Sequence, residues 1–283
     1  MVNKVENIIT VINYIENNLT EKLNLSSIAM GVGYSKYHLH RMFVETVGLS
    51  IHDYVQRRQL TESAILLVFS DKSILEISLI AGYESQQAFT NIFREMYKLP
   101  PNQYRRNEKF YPLQLRFQFE GEYGMLQSKD LMEWSIDFAA EDDIPCWMDL
   151  VRLVIDGFPH LYEDEYEAEL KRRIRCRQAL ILKDGSIAVG IMLFSYENGS
   201  IDFMGTHPLY RDKGIPKAFL EKVLSELVVG KEISVTTFRE GDKADTGQRR
   251  EIQGLGFSEA ELLVEFGYPT QRFVLSEEAV NNE

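Results

Sequence analysis

Lys36, Tyr37, His40 and Arg41 fall on one face of a single helical stretch, and their chemistry is that of a nucleic-acid reader. Arg forks onto guanine O6 and N7, while a tyrosine ring packs on a thymine methyl or a sugar. Further along, Gln86, Gln87, Thr90, Asn91 and Arg94 form a second such set. Gln and Asn pair bidentately with adenine, and Arg with guanine. Lys36 and Arg94 suit phosphate as well as base edges, and His38 suits packing as well as recognition.

The elements around these residues must hold them outward. Gly33 supplies a tight turn, and Ser35 stands where a helix N-cap accepts from the first unsatisfied N–H groups. Leu39, Met42, Phe43 and Thr46 then recur at i, i+3, i+4 and i+7, the face that packs. An amphipathic helix is expected over Val5–Asn18, a short one over Leu25–Met30, a turn at Gly31–Tyr34 and a long helix over Ile51–Phe69. Tyr54, Val55, Leu60, Ala64 and Leu67 are the packing positions expected on that long helix.

A lone helix with a polar face is more often merely solvated, and duplication decides the matter here. The stretch from Ile74 to Tyr83 matches Leu25–Tyr34 at a shift of 49, placing Gly82 on Gly33. After one inserted residue, Ser85, Phe89, Phe93 and Tyr104 match Ser35, Leu39, Phe43 and Tyr54. Two short-helix, turn, helix units joined by a long helix make a tandem helix-turn-helix, in which the second helix of each unit enters a major groove. The second reading helix is expected over Gln86–Met96.

The duplicated signature, closed by Lys98-Leu99-Pro100-Pro101-Asn102-Gln103-Tyr104-Arg105-Arg106, resembles the AraC/XylS family of bacterial transcription regulators. The segments GYSKYHLHRMF from Gly33 and Tyr83-Glu84-Ser85-Gln86-Gln87 are most similar to its Mar/Sox/Rob branch. The resemblance spans about residues 5–107. It implies a rigid module that places two helices in successive major grooves of double-stranded DNA. Gln59 stands where the family often has Arg, and Lys98 where it often has Gly.

The net charge of −12 is divided unevenly. Residues 1–107 carry 11 Lys+Arg against 10 Asp+Glu, a balance of +1, so −13 falls on the rest. A near-neutral domain binds DNA if its cations share a face, whereas the acidic remainder is unsuited to phosphate. Length allows two domains. Absence of a long apolar run or signal-peptide core leads to the expectation of a cytoplasmic protein without a membrane partner. Cys146 and Cys176 form no metal-type pair. Residues 108–131 read as a connector, with Leu113, Leu115, Phe117 and Phe119 alternating with polar residues as in a strand.

From residue 132 to 283 strands and helices mix. Strands are expected at Trp134–Phe138, Gln178–Leu182, Ile187–Ser195, Ser200–Met204 and Glu232–Thr237, with a closing pair containing Val264–Tyr268 and Arg272–Leu275. Helices are expected at Pro145–Ile155, Tyr162–Ile174, up to about Leu227, and Gly247–Leu255. The fold class is therefore multidomain: an all-α tandem helix-turn-helix domain, then an α+β domain with a mixed, mostly antiparallel sheet.

This order, with Arg211-Asp212-Lys213-Gly214-Ile215-Pro216 and Leu255-Gly256-Phe257, resembles the GNAT acetyltransferase fold over about 132–276. The resemblance implies that Arg211, Lys213, Gly214 and Ile215 hold the pyrophosphate of an acyl-CoA such as acetyl-CoA at a helix N-terminus. Pro216 replaces the family's final Gly or Ala and has no N–H to give. The family's Tyr acid falls on Ile252, and the nearest carboxylate to its Glu base is Asp202, so no catalytic residue is assigned. Acetyl transfer is accordingly less expected than sensing of a small-molecule or acyl-CoA effector, or a plain loop-to-helix entry. A dimerisation or RNA polymerase contact role stays open, as does monomer against homodimer.

Overall fold

The computed structural model describes residues 2–119, 135–155, 163–228 and 230–275. It divides into two units, Met1–Gln127 with Ile155–His160, and Ser128–Val154 with Leu161–Glu283.

The first unit is all helical: α1 Val2–Asn17, α2 Leu25–Val32, α3 Lys36–Val47, α4 Ile51–Phe69, α5 Ile74–Ile80, α6 Gln86–Tyr97 and α7 Pro101–Asn107. Polar caps start the helices where the chain offers them. Asn24, Ser35, Ser50, Ser73 and Ser85 each accept a backbone N–H of the first turn. The short helix α2 runs two residues past its expected end, through Gly31. A Cβ there would lie 2.3 Å from the Tyr14 ring, so Gly31 serves close approach of α1 rather than the turn, which falls at Gly33 (φ 74).

The predicted packing residues of α4 are all buried. Around its C-terminal half, Phe89, Phe93, Tyr97 and Tyr104 form an aromatic core, with Phe93 stacked on Tyr97 at 4.4 Å. On its other side Arg58 makes a bidentate pair with Glu16, both bonds 2.9 Å, and Tyr54 donates to the same carboxylate at 2.8 Å. Burial, then Glu16, holds the Tyr54 hydroxyl well above its ordinary range. The charge is paired and hydrogen-bonded, the condition for burying it.

The connector differs from its expected form. Residues 108–119 make no strand. Leu113 and Gln114 N–H both donate to Thr61 Oγ1, at 3.1 and 3.2 Å, and their carbonyls accept from Arg57 and Arg58. Side chains of α4 thus do what a neighbouring strand would do. Phe117 stacks on Tyr54 at 5.5 Å, and Gln114 is buried where strict alternation would expose it. The apolar period came from lying along helices, a surface that period alone does not distinguish from a sheet.

The second unit holds a seven-stranded sheet in the order β1-β2-β3-β4-β5-β7-β6. Its strands are β1 Ile136–Phe138, β2 Ala179–Asp184, β3 Ile187–Phe194, β4 Ser200–Thr206, β5 Ile233–Phe238, β6 Ser258–Glu265 and β7 Tyr268–Leu275. All neighbours are antiparallel except β4 and β5, so the sheet is mixed and mostly antiparallel, as expected. The closing pair is longer than the sequence suggested, and Tyr268 opens β7 instead of ending β6. Trp134 and Tyr162 lie outside the described residues.

Helices α8 Ile144–Val154, α9 Glu163–Arg175, α10 Ile215–Lys222 and α11 Gln248–Gly254 complete the unit. The first of these packs Trp147, Met148 and Val151 against Ile181, Ile191 and Leu193. Acidic Glu163, Asp164 and Glu165 open α9 and Arg172, Arg173 and Arg175 close it, the arrangement its dipole favours.

Candidate nucleic-acid interface

Each reading helix is built as a capped cylinder with one apolar side. In α3, Ser35 Oγ accepts from His38 N–H at 3.3 Å, and Leu39, Met42, Phe43, Thr46 and Val47 are buried. Phe43 meets Tyr54 of α4 edge-on at 5.6 Å. Lys36, Tyr37, His40 and Arg41 are exposed, Tyr37 at 76%. The Arg41 guanidinium lies 5.8 Å from the Tyr37 ring centre and 3.8 Å from Glu45, so the three side chains form a row along the outer face. His38 turns aside to Tyr34, ring centres 5.6 Å apart, which favours its packing role.

The construction repeats in α6. Ser85 Oγ accepts from Ala88 N–H at 3.2 Å, and Phe89, Phe93, Met96 and Tyr97 are buried. Gln86, Gln87, Asn91 and Arg94 are exposed, and Thr90 is half-buried. Gln87 Nε2 donates to Asn91 Oδ1 at 3.0 Å.

Between α3 and α6, Gln59 has a place that its spacing did not announce. From the middle of α4 its Nε2 donates to Leu19 O, in the loop before α2, at 2.9 Å. Gly82, in the turn before α6, sits against both: a Cβ there would be 3.3 Å from Gln59 Nε2 and 3.4 Å from Glu21 O. Lys22 and Glu84, both exposed, pair across the same seam at 2.6 Å. Each raises the preference of the other for its charged form, so the lysine pKa is raised and the carboxylate pKa lowered. Gln59 stands among polar neighbours, Arg58 before it and Thr61 after Leu60, so nothing in the pattern singled it out.

In the second unit, a 3-10 stretch Pro208–Lys213 leads through Gly214 (φ 70) into α10, with Pro216 in its first turn. Arg211 and Gly214 are exposed and Lys213 half-buried, while the Ile215 side chain is buried. Gly190 of β3 lets α10 approach: a Cβ there would meet Ile215 and Phe219 at 2.6 and 2.7 Å. The parallel strands β4 and β5 pair only at Ser200–Ser234 and Ile201–Val235.

The loop therefore fits an anion in part. Arg211 and Lys213 supply cations and Gly214 and Ile215 backbone donors, Ile215 through its N–H alone, and Pro216 supplies none. Asp202 is engaged by Arg173 at 2.6 Å and by Ser200 at 2.6 Å, and Ile252 is buried. Buried His207 accepts from Leu209 N–H through Nδ1. Its pKa is lowered to about 4 by burial, then by the Arg211 charge.

A helix-turn-helix domain family model matches residues 28–107. The HTH-type transcriptional regulator YbfP of Bacillus subtilis is 40% identical over 94 residues, which cover 33% of this chain and 32% of YbfP. The multiple antibiotic resistance protein MarA of Escherichia coli K12 is 39% identical over 96 residues, covering 34% of this chain and 76% of MarA. Through its N-terminal unit the chain belongs to the AraC/XylS-type helix-turn-helix family. The chain spans about a third of YbfP's length. A GNAT-family acetyltransferase structure from Bacillus cereus aligns at 16% identity with a TM-score of 0.40, covering 50% of this chain and 96% of that one. A likeness of that size carries no argument about the second unit. Among the described residues no helix is long and apolar enough to cross a membrane, and no cluster of His, Cys, Asp or Glu could hold a metal ion.

Proposed function

We propose that this protein is a sequence-specific transcription regulator that lays α3 and α6 in successive major grooves of one DNA duplex. One observation carries the reading: two capped helices repeat the same buried apolar side and expose different polar sets, Lys36, Tyr37, His40 and Arg41 against Gln86, Gln87, Asn91 and Arg94. A duplicated scaffold with unlike outer faces suits a site whose two halves differ in sequence. YbfP is described as an uncharacterized HTH-type transcriptional regulator, in keeping with this reading. Selection of bound duplexes from random DNA by the full chain tests it. Enrichment of one sequence, with Arg41→Ala costing about 1–3 kcal/mol on it, is the expected result. Enrichment of none contradicts it.

The second unit, in this proposal, modulates the reader as a GNAT-like sensor of a small-molecule or acyl-CoA effector. Arg211, Lys213 and the Gly214 and Ile215 N–H groups would hold a coenzyme A pyrophosphate, which would present an acyl group for recognition. The engaged state of Asp202 and the burial of Ile252 favour binding over reaction. The alternative, a DNA-targeted N-acetyltransferase, predicts turnover of acetyl-CoA. Calorimetry with acetyl-CoA followed by a thiol-release assay separates the two, and a lack of binding removes both. Contact with RNA polymerase, and action as monomer or homodimer, belong to the same proposal.

A further inference from the structure

On the outer face of α6 the two amides are not equivalent. Gln87 stands one turn before Asn91, and its Nε2 donates to Asn91 Oδ1 at 3.0 Å. An amide oxygen has two lone pairs and an amide nitrogen two hydrogens. The contact therefore occupies one lone pair of Asn91 Oδ1 and sets the rotation of its amide plane. The other lone pair and the Nδ2 hydrogens remain, an acceptor beside a donor. That pair matches adenine, which offers N6–H as donor and N7 as acceptor in the major groove. Asn91 has a short stem, and behind it Phe89 and Phe93 lock the helix into the core. Gln87, with a longer stem, has spent a donor on its neighbour.

We infer that Asn91 is the residue that selects adenine in the half-site read by α6, and that Gln87 is a positioning residue that holds the Asn91 amide in its reading plane. The inference rests on the proposed DNA-reading role of α6 and gives its two amides separate duties. Ordering the amide before binding removes part of the cost of immobilising it in the complex. Gln87 should thus affect how strongly adenine is preferred, and Asn91 which base is preferred.

The experiment uses the full chain, a duplex selected from random DNA, and that duplex with each base pair varied in turn. A second duplex carries 7-deazaadenine, which lacks the N7 acceptor. Wild type should prefer A at one position of one half-site by about 5- to 150-fold, and 7-deazaadenine there should abolish most of that preference. Asn91→Ala should lose the preference at that position alone and become indifferent to 7-deazaadenine. Asn91→Arg should move the preference to G. Gln87→Ala should weaken binding to the duplex carrying A several-fold and leave the other duplexes nearly unchanged, so the preference for A shrinks without moving to another base. All three substitutions change an exposed surface, and unchanged thermal unfolding of the variants confirms that the fold is intact. Retention of the A preference in Asn91→Ala, or an undiminished A preference in Gln87→Ala, overturns the inference while leaving α6 as a reader. Selection of no sequence by wild type overturns the DNA-reading role itself, and the inference with it.

Discussion

Gly48 and Lys98 occupy the same place in the two halves of the reading domain, fifty residues apart, and both hold left-handed backbone, with φ of 78 and 59. Each ends a reading helix. The position is comfortable for glycine and strained for a residue with a Cβ. Lys98 donates from Nζ to Glu95 O. Lys98→Gly should therefore stabilise the first unit by about 0.5–1 kcal/mol, less the value of that contact. Urea unfolding reads the change, and destabilisation would show that the lysine contact outweighs the backbone strain.

The segment after α7 belongs to the reading domain's core. Thr61 Oγ1 accepts two buried N–H groups, from Leu113 and Gln114. Thr61→Val keeps the shape and strips both of their acceptor, which should cost about 2–4 kcal/mol. A fragment ending at residue 107 should unfold at much lower denaturant than one ending at 119, because it exposes the aromatic side that Tyr111, Leu113 and Phe117 cover. Equal midpoints would show that the segment is dispensable.

Gln59 bonds the loop before α2 from the middle of α4 and lies beside Gly82 in the turn before α6. Its loss should loosen the distance between the reading helices more than either helix itself. Gln59→Ala removes one hydrogen bond of about 1 kcal/mol, so discrimination against duplexes with one base pair inserted between half-sites should fall by about fivefold. Affinity for the correctly spaced site should change less. Unaltered discrimination would locate the spacing constraint elsewhere in α4.

His207 gives the second unit a dependence on acid. The folded chain keeps it neutral down to about pH 4, whereas the unfolded chain takes up a proton below the ordinary 6.5. In that window the unfolded state binds more protons, so stability falls as pH falls, by about 3 kcal/mol at its lower end. His207→Asn keeps an acceptor for Leu209 N–H and removes the titration. Its unfolding midpoint should decline less between pH 6.5 and 4 than that of wild type. Parallel declines would mean that other groups dominate. Carboxylates such as Glu169, lowered to about 2 by Arg172 and Arg173, act below the ordinary 4.5.

The helical unit was legible because each of its signals is local. Serine caps, an i, i+3, i+4, i+7 face and a repeat at shifts of 49 and 50 all lie within short windows, and α3, α4 and α6 fall within a residue or so of expectation. What failed depended on partners distant in the chain. Gly31 sits in a helix because Tyr14 crosses it, and the segment after α7 lies on α4 because Thr61, Arg57 and Arg58 bind the backbone of Leu113 and Gln114. The expected closing pair put Tyr268 on the first strand, whereas Tyr268 pairs with Glu265 across the turn and opens β7. The outer residues of α3 and α6 could be named from types and spacing. Their pairings, Arg41 over Tyr37 and Gln87 to Asn91, depend on rotamers that no pattern carries.

The central claim is that one chain reads two different half-sites with two helices. Fluorescence anisotropy of the full chain on its selected duplex, with each half-site scrambled separately, tests this most directly. Intact sites should bind about a thousandfold or more tighter than random DNA. Arg41→Ala should become indifferent to scrambling of a position in one half only, and Asn91→Ala to scrambling of a position in the other. Equal affinity for intact and scrambled duplexes, or both substitutions acting in the same half-site, would contradict the claim.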